Sequence, residues 1–168
     1  AFCPLPQQAQ QVVVRQVVDG DTLRLVDGRS VRLIGINAPE IGRKGRTSEP
    51  YAEAARRRLQ ALVNASDGRI GLVPGVEEKD KYGRTLAHIY GISGANIEAR
   101  LLSEGLGYRV AVAPNVSLSG CQQVAEQAAR KAGNGVWRRS PVVAAADVRQ
   151  SGFAVVSGRI RGVERNRG

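Results

Sequence analysis

The chain has 168 residues, 42% of them hydrophobic, which is enough for one sizeable core and too few for two. Lys and Arg total 25 against 15 Asp and Glu, and the formal charge of +10 favours polyanions, with nucleic acid first and an anionic membrane or wall second. No apolar run approaches the roughly 18 residues of a membrane span. With aromatics at 4%, the core must be built mainly from Val, Leu, Ile and Ala.

The first residues, 1–11, read as a tail around "AFCPLP". The chain opens on Ala1 rather than Met, which implies processing or trimming, with any signal peptide lying upstream. Cys3 and Cys121 are the two cysteines, far apart and in no metal-like spacing, which argues against zinc. A bridge between them would hold the tail down and contribute at most roughly 4–5 kcal/mol by closing so long a loop. It would also imply a periplasmic or secreted location. Two free thiols in a reducing compartment are the alternative.

Residues 11–18, "QVVVRQVV", read as a strand rich in β-branched side chains. "DTLRLV" and "SVRLIGI" follow around Asp27-Gly28, a hairpin signal, so three antiparallel strands in a meander are expected. After a polar, basic loop, "YAEAARRRLQALV" carries Tyr51, Ala55, Leu59 and Leu62 at helical spacing, with Ser48 as the expected N-cap and Pro50 in the first turn. Two short strands, "RIGLVP" and "TLAHIYG", are joined by the charged loop "GVEEKDKYGR". Asn96 should cap a second helix that Gly105 ends. A third helix is expected from about Ser119 to Lys131, and Trp137 is expected as a core anchor. Five strands with a helix between the third and fourth predict an α+β fold, a five-stranded OB-type β-barrel with about three helices. After Pro141, residues 141–168 read as a linker and a basic C-terminal extension that starts a further element.

Chemistry concentrates at "VVDGDT", "VRLIGINAPE" and "DKYGR". Asp19 and Asp21 lie two apart on an extended chain and so share a face. Glu40 closes a strand predicted to pair beside them. Arg32 lies among Leu33, Ile34 and Ile36, an expensive place for a charge without an anionic partner. Arg84 brings a second cation to a loop edge. Carboxylates beside two arginines suit phosphodiester hydrolysis: a hard cation polarises a phosphoryl oxygen, a base positions water, and planar guanidinium groups receive the growing negative charge. His88, the one histidine, reads as a sheet-face residue rather than a base, and there is no "GxSxG" elbow for a serine hydrolase.

In order and separation, "VVDGDTLRL", "VRLIGINAPE" and "DKYGRTLAHIY" resemble the staphylococcal nuclease (thermonuclease) family, and "NIEARLLSEGLG" and the closing "GVW" fit the same pattern. The resemblance covers about residues 12–139 and places an OB-fold domain at 12–140. It implies calcium as cofactor, nucleic acid as substrate and 3′-phosphorylated products. Asp21 matches the metal-ligating aspartate, Arg32 and Arg84 the two catalytic arginines, and Glu40 the glutamate that acts on the attacking water. Asp19 and Thr22 match positions close to the metal. Lys81 and Tyr82 fall where the family contacts a terminal phosphate. Asn37 stands where a second metal aspartate is usual, and Ala38 where a threonine lends its carbonyl. Asn37 keeps an oxygen ligand but loses a charge, so weak calcium binding is expected. Tyr108 comes early, and Ala111 and Ala113 replace tyrosines that pack on the base, so stacking is expected to be reduced. Arg43, Lys44, Arg46 and Arg109 either make phosphate contacts or are solvated surface charges.

The leading expectation is a monomeric, extracytoplasmic, calcium-dependent nuclease of low sequence specificity. A non-catalytic nucleic-acid-binding module on the same barrel is the first alternative, and an envelope interaction domain the second.

Overall fold

The computed structural model describes residues 2–6 and 8–138. Residues 1–136 form one compact unit; a second comprises Trp137–Gly168, of which only Trp137 and Arg138 are described. The extension expected over 141–168 lies outside the described residues.

Strand β1 (Gln10–Asp19) pairs antiparallel with β2 (Thr22–Leu25), which pairs antiparallel with β3 (Ser30–Leu33). The meander turns at Asp27-Gly28 as expected, where Gly28 takes φ 98° without the strain a side chain would suffer there. A long β5 (Arg69–Lys79) and β6 (Thr85–Tyr90) complete the sheet. Strand β6 runs parallel to β3, and β5 returns to the start of β1, closing a five-stranded barrel in the order β1-β2-β3-β6-β5. Closure leaves the barrel no free edge. Two irregularities, between Val14 and Gln16 and between Val17 and Asp19, let β1 bend enough to serve both neighbours. The fold is therefore the α+β, OB-type barrel with three helices that the element order predicted.

Helix α1 (Ala52–Asn64) buries Ala52, Ala55, Leu59 and Val63. α2 (Ile97–Ser103) starts where the Asn96 side chain accepts the Ala99 N–H at 2.9 Å, and the chain leaves it through Gly105 at φ 75°. α3 (Ser119–Ala132) ends at Gly133. The core joins Leu23, Leu25, Val31, Leu33, Ile70 and Leu72 of the barrel to Leu59 of α1 and Leu101 and Leu102 of α2. Cys3 and Cys121 form a disulfide with a Cα–Cα distance of 5.5 Å, tying the tail to the first turn of α3.

Three expectations need correction. Ser48 does not cap α1: its Oγ accepts the Gly42 N–H at 2.8 Å, and the N-cap position falls to Tyr51 at φ 70°. "SVRLIGI" is not one strand, because the chain bends at Gly35 (φ 96°) and resumes as β4 (Ile36–Asn37), which pairs with β7 (Tyr108–Arg109) outside the barrel. Glu40 thus lies in a loop rather than at a strand end. The polar run Gly75–Lys79 continues β5 instead of forming a loop. Trp137 is half-buried in a 3-10 turn (Gly135–Trp137).

Candidate active site

The turn from β1 to β2 carries the acidic residues. It lies so close to α1 that a Cβ on Gly20 would come within 2.7 Å of the Cβ atoms of both Ala38 and Ala55. Glycine between the two aspartates is therefore a packing requirement, and it sets both carboxylates against the segment after β4. Asp21 is buried (8% exposed) and holds that segment: its Oδ2 accepts the Ala38 N–H at 2.8 Å and its Oδ1 accepts the Thr22 hydroxyl at 2.9 Å. Asp19 Oδ1 accepts the Asp21 N–H at 3.1 Å. Burial, then a hydrogen bond with Asp21 and its negative charge, push the Asp19 carboxyl up to about 6.

Arg32 stands opposite Thr22 across β2 and β3. The anionic partner its apolar surroundings demand is Asp21, with Nη2 3.6 Å from Oδ2. Nη1 donates to the carbonyls of Leu33 at 2.6 Å and Ile36 at 2.8 Å, bracing the bend at Gly35, and Nη2 lies 3.4 Å from Asn37 Oδ1. Because β3 and β6 are parallel neighbours, Arg84, one residue before β6, reaches the same end of the barrel. Its Nε donates to Asp80 Oδ2 at 2.8 Å and its backbone N–H to Asp80 Oδ1 at 2.9 Å. Burial raises the Asp80 carboxyl, but donation from Arg84 and from the Tyr82 N–H outweighs it and holds the group below the usual range. Asp80 as the residue that aims Arg84 was missed from sequence, although its place four residues before Arg84 was the available signal.

One open cleft of about 610 Å³ gathers these groups. Asp19, Asp21, Thr22, Arg32, Asn37, Ala38, Glu40 and Arg84 all line it, so every sequence-nominated catalytic and metal residue meets there. Lys81 and Tyr82 do not line it. They occupy the β5–β6 turn, with Lys81 Nζ 5.2 Å and Arg84 Cζ 5.5 Å from the centre of the exposed Tyr82 ring. Glu40 is exposed, and its backbone is fixed by Glu49, whose N–H donates to Glu40 O at 2.9 Å and whose Oε1 accepts the Glu40 N–H at 2.7 Å. Arg43, Lys44 and Arg46 line the same cleft, whereas Arg109 turns to α3, donating from Nη1 to Ser119 Oγ at 2.9 Å and from its backbone to Glu126 at 2.7 Å. Tyr108, Ala111 and Ala113 are exposed.

His88 is no base: its Nδ1 lies 2.7 Å from Glu98 Oε1 in the interior. Among the described residues, no three His, Cys, Asp or Glu side chains cluster as metal ligands. The donors in the cleft are nonetheless all oxygen: the Asp21 carboxylate, the Asn37 amide, the Thr22 hydroxyl and the Asp19 carboxylate. That set fits a hard cation such as calcium in kind. Asp19 and Asp21 line the cleft two residues apart, and an added cation would offset their charge.

A family profile described as "Staphylococcal nuclease homologue" matches residues 30–139. The chain belongs to the staphylococcal nuclease family. Among similar proteins, endonuclease YncB of Bacillus subtilis (strain 168) is 32% identical over 137 residues, covering 79% of this chain and 64% of its own length. The SPbeta prophage-derived endonuclease YokF of the same organism is 33% identical over 137 residues, 79% of this chain and 45% of its own. Thermonuclease of Staphylococcus intermedius is 31% identical over 135 residues, 79% of each chain. The chain thus spans less than two thirds of the two Bacillus proteins. No helix among the described residues is long and apolar enough to cross a membrane.

Proposed function

We propose that this domain hydrolyses phosphodiester bonds of nucleic acid with little sequence preference. The observation that carries the reading is the single cleft in which two arginines, two aspartates and Glu40 converge. In this scheme Arg32 and Arg84 grip the phosphoryl oxygens and receive the charge that grows as water adds to phosphorus. Glu40 orients that water and takes its proton while the bond from phosphorus to the leaving oxygen breaks. Asp80 keeps the Arg84 fork aimed, and Asp21 pins Ala38 and so sets the strand from which Glu40 follows. Asp21, the Asn37 amide and the Ala38 carbonyl would hold a calcium ion, with Asp19 and Thr22 beside it. When bound, that ion supplies Lewis-acid polarisation of a phosphoryl oxygen. Asn37 brings no charge, so calcium affinity is low until a substrate phosphate joins.

The names of the relatives support the activity class, since all three compared proteins are called nucleases. The disulfide supports an oxidising, extracytoplasmic site of action. The test is cleavage of fluorescent single-stranded DNA and RNA across a calcium titration starting from chelator. Cleavage should require calcium, fall at least 10²-fold in Glu40→Gln, and need less calcium in Asn37→Asp. A wild type that cleaves nothing at tens of millimolar calcium would refute the reading. One observation favours a second reading, nucleic-acid binding without turnover. Arg32 Nη2 lies against both Asp21 Oδ2 (3.6 Å) and Asn37 Oδ1 (3.4 Å), competing with a metal for both side chains. Inactive wild type with activity gained in Asn37→Asp would select it.

A further inference from the structure

The loop between Glu40 and Pro50 has a built shape that the reaction does not use. Its neck is shut by the paired hydrogen bonds between Glu40 and Glu49, and inside that neck the Gly42 N–H donates to Ser48 Oγ at 2.8 Å. At its tip the Arg46 N–H donates to Arg43 O at 3.1 Å, and Lys44 takes φ 54°. Gly42 lies against the Arg46 carbonyl with no room for a Cβ. The result is a closed loop whose Arg43, Lys44 and Arg46 face the cleft. Elsewhere in the described residues, Arg29, Arg56, Arg58, Arg84 and Arg100 each have a carboxylate within 2.9 Å, but no carboxylate pairs with these three.

Positive charge in the cleft is unevenly placed. Arg32, Arg43, Lys44, Arg46 and Arg84 face Asp19, Asp21 and Glu40, but Arg32 lies against Asp21 and Arg84 is paired with Asp80, so the unpaired positive charge sits on the loop. The reacting phosphodiester is gripped by Arg32 and Arg84, which leaves Arg43, Lys44 and Arg46 without an anion of their own. Crowded like charges on a shaped wall call for further anions.

We infer that Arg43, Lys44 and Arg46 form a second phosphate-binding subsite, which holds diesters of the same strand beside the reacting one. This rests on reading the cleft as a phosphodiester site. The ligand class is a single strand with several consecutive phosphodiesters. Each neutralised phosphate of a single strand adds about 0.7 to the slope of log affinity against log salt, so three contacts add about 2.

The test is fluorescence anisotropy of a labelled decathymidylate, in chelator, across a salt series. Wild type is compared with R43Q/K44Q/R46Q and with R15Q/R57Q/R69Q, which removes three exposed cations outside the cleft and so carries the same net charge. The loop variant should bind at least tenfold more weakly at about 50 mM salt and lose about 2 from the slope. The control should lose less than half as much. Equal losses in the two variants, or an unchanged slope in the loop variant, would overturn the subsite. Binding in chelator does not depend on turnover, so the two claims separate. A loop-dependent slope in a protein that never cleaves keeps the subsite and removes the reaction. A calcium-dependent nuclease with a loop-independent slope does the reverse.

Discussion

Asp21 and Glu98 are both carboxylates withdrawn from bulk solvent, at 8% and 0% exposure, yet their surroundings are opposite. Glu98 is saturated. It lies against His88 Nδ1 at 2.7 Å and accepts from the Ile89 N–H at 2.8 Å, Asn96 Nδ2 at 3.1 Å and Gln122 Nε2 at 3.5 Å. A carboxylate acceptor there requires the proton on Nδ1 of His88. Those donors come from β6, the cap of α2, and α3, so Glu98 is a joint between helices and barrel. Asp21 has a hydroxyl, one N–H and a distant guanidinium, and it opens onto the cleft beside a second carboxylate. Spare lone pairs facing an open space mark a place for a ligand. A full shell marks a piece of architecture.

The largest effect should come from emptying the joint. Glu98→Ala leaves several buried donors unpartnered and should cost about 3–5 kcal/mol in urea unfolding. A loss below about 1 kcal/mol would show that the saturated shell does not hold the helices. Next, Asp21→Asn should reduce calcium-dependent cleavage at least 10²-fold, equivalent to about 2.7 kcal/mol of barrel-end chemistry, while costing about 1 kcal/mol of stability. If Asp21→Asn unfolds the protein as readily as Glu98→Ala, the distinction between the two carboxylates fails. A smaller effect is expected where the aim of an arginine, not its charge, is altered. Asp80→Ala removes the carboxylate on Arg84 and should lower cleavage by about tenfold, with a drop in kcat larger than the rise in KM.

The sequence made one half of this comparison readable and concealed the other. Local chemistry was legible because its signals are short: Asp27-Gly28 for the hairpin, Asn96 and Gly105 for the ends of α2, and the aspartates and arginines in their motifs. The joint was not, because its members are distant in sequence. Gln122 reaches Ile34 O at 3.3 Å across 88 residues, and the left-handed Gly35 has no room for a Cβ against the Gln122 amide. Ser48 misled for a related reason: a hydroxyl with cap geometry in sequence was already engaged in closing the cationic loop. Gly75–Lys79 read as loop because its residues are polar. In the fold Asn115 braces this stretch, accepting the Glu77 N–H and donating to Glu77 O, each at 2.9 Å.

The smallest expected effect concerns a third carboxylate, intermediate between the two. Glu104 is partly exposed and takes Nε of Arg58 on α1 at 2.7 Å and Nε of Arg100 on α2 at 2.8 Å. Burial raises its carboxyl, but the hydrogen bonds and charges of Arg58 and Arg100 outweigh this and hold it below the usual glutamate range. A depressed acid stabilises the fold above its unfolded pKa, and that contribution disappears as pH falls through the folded value. Glu104→Gln should therefore be less stable than wild type at pH 7, by no more than about 1 kcal/mol for so exposed a network. The gap should narrow below about pH 4.5 and vanish once the wild-type carboxyl is protonated. Urea unfolding of both proteins at several pH values checks this. A gap that stays constant down to pH 3 would assign the loss to packing instead of charge, and α1 and α2 would then be joined by their apolar faces alone.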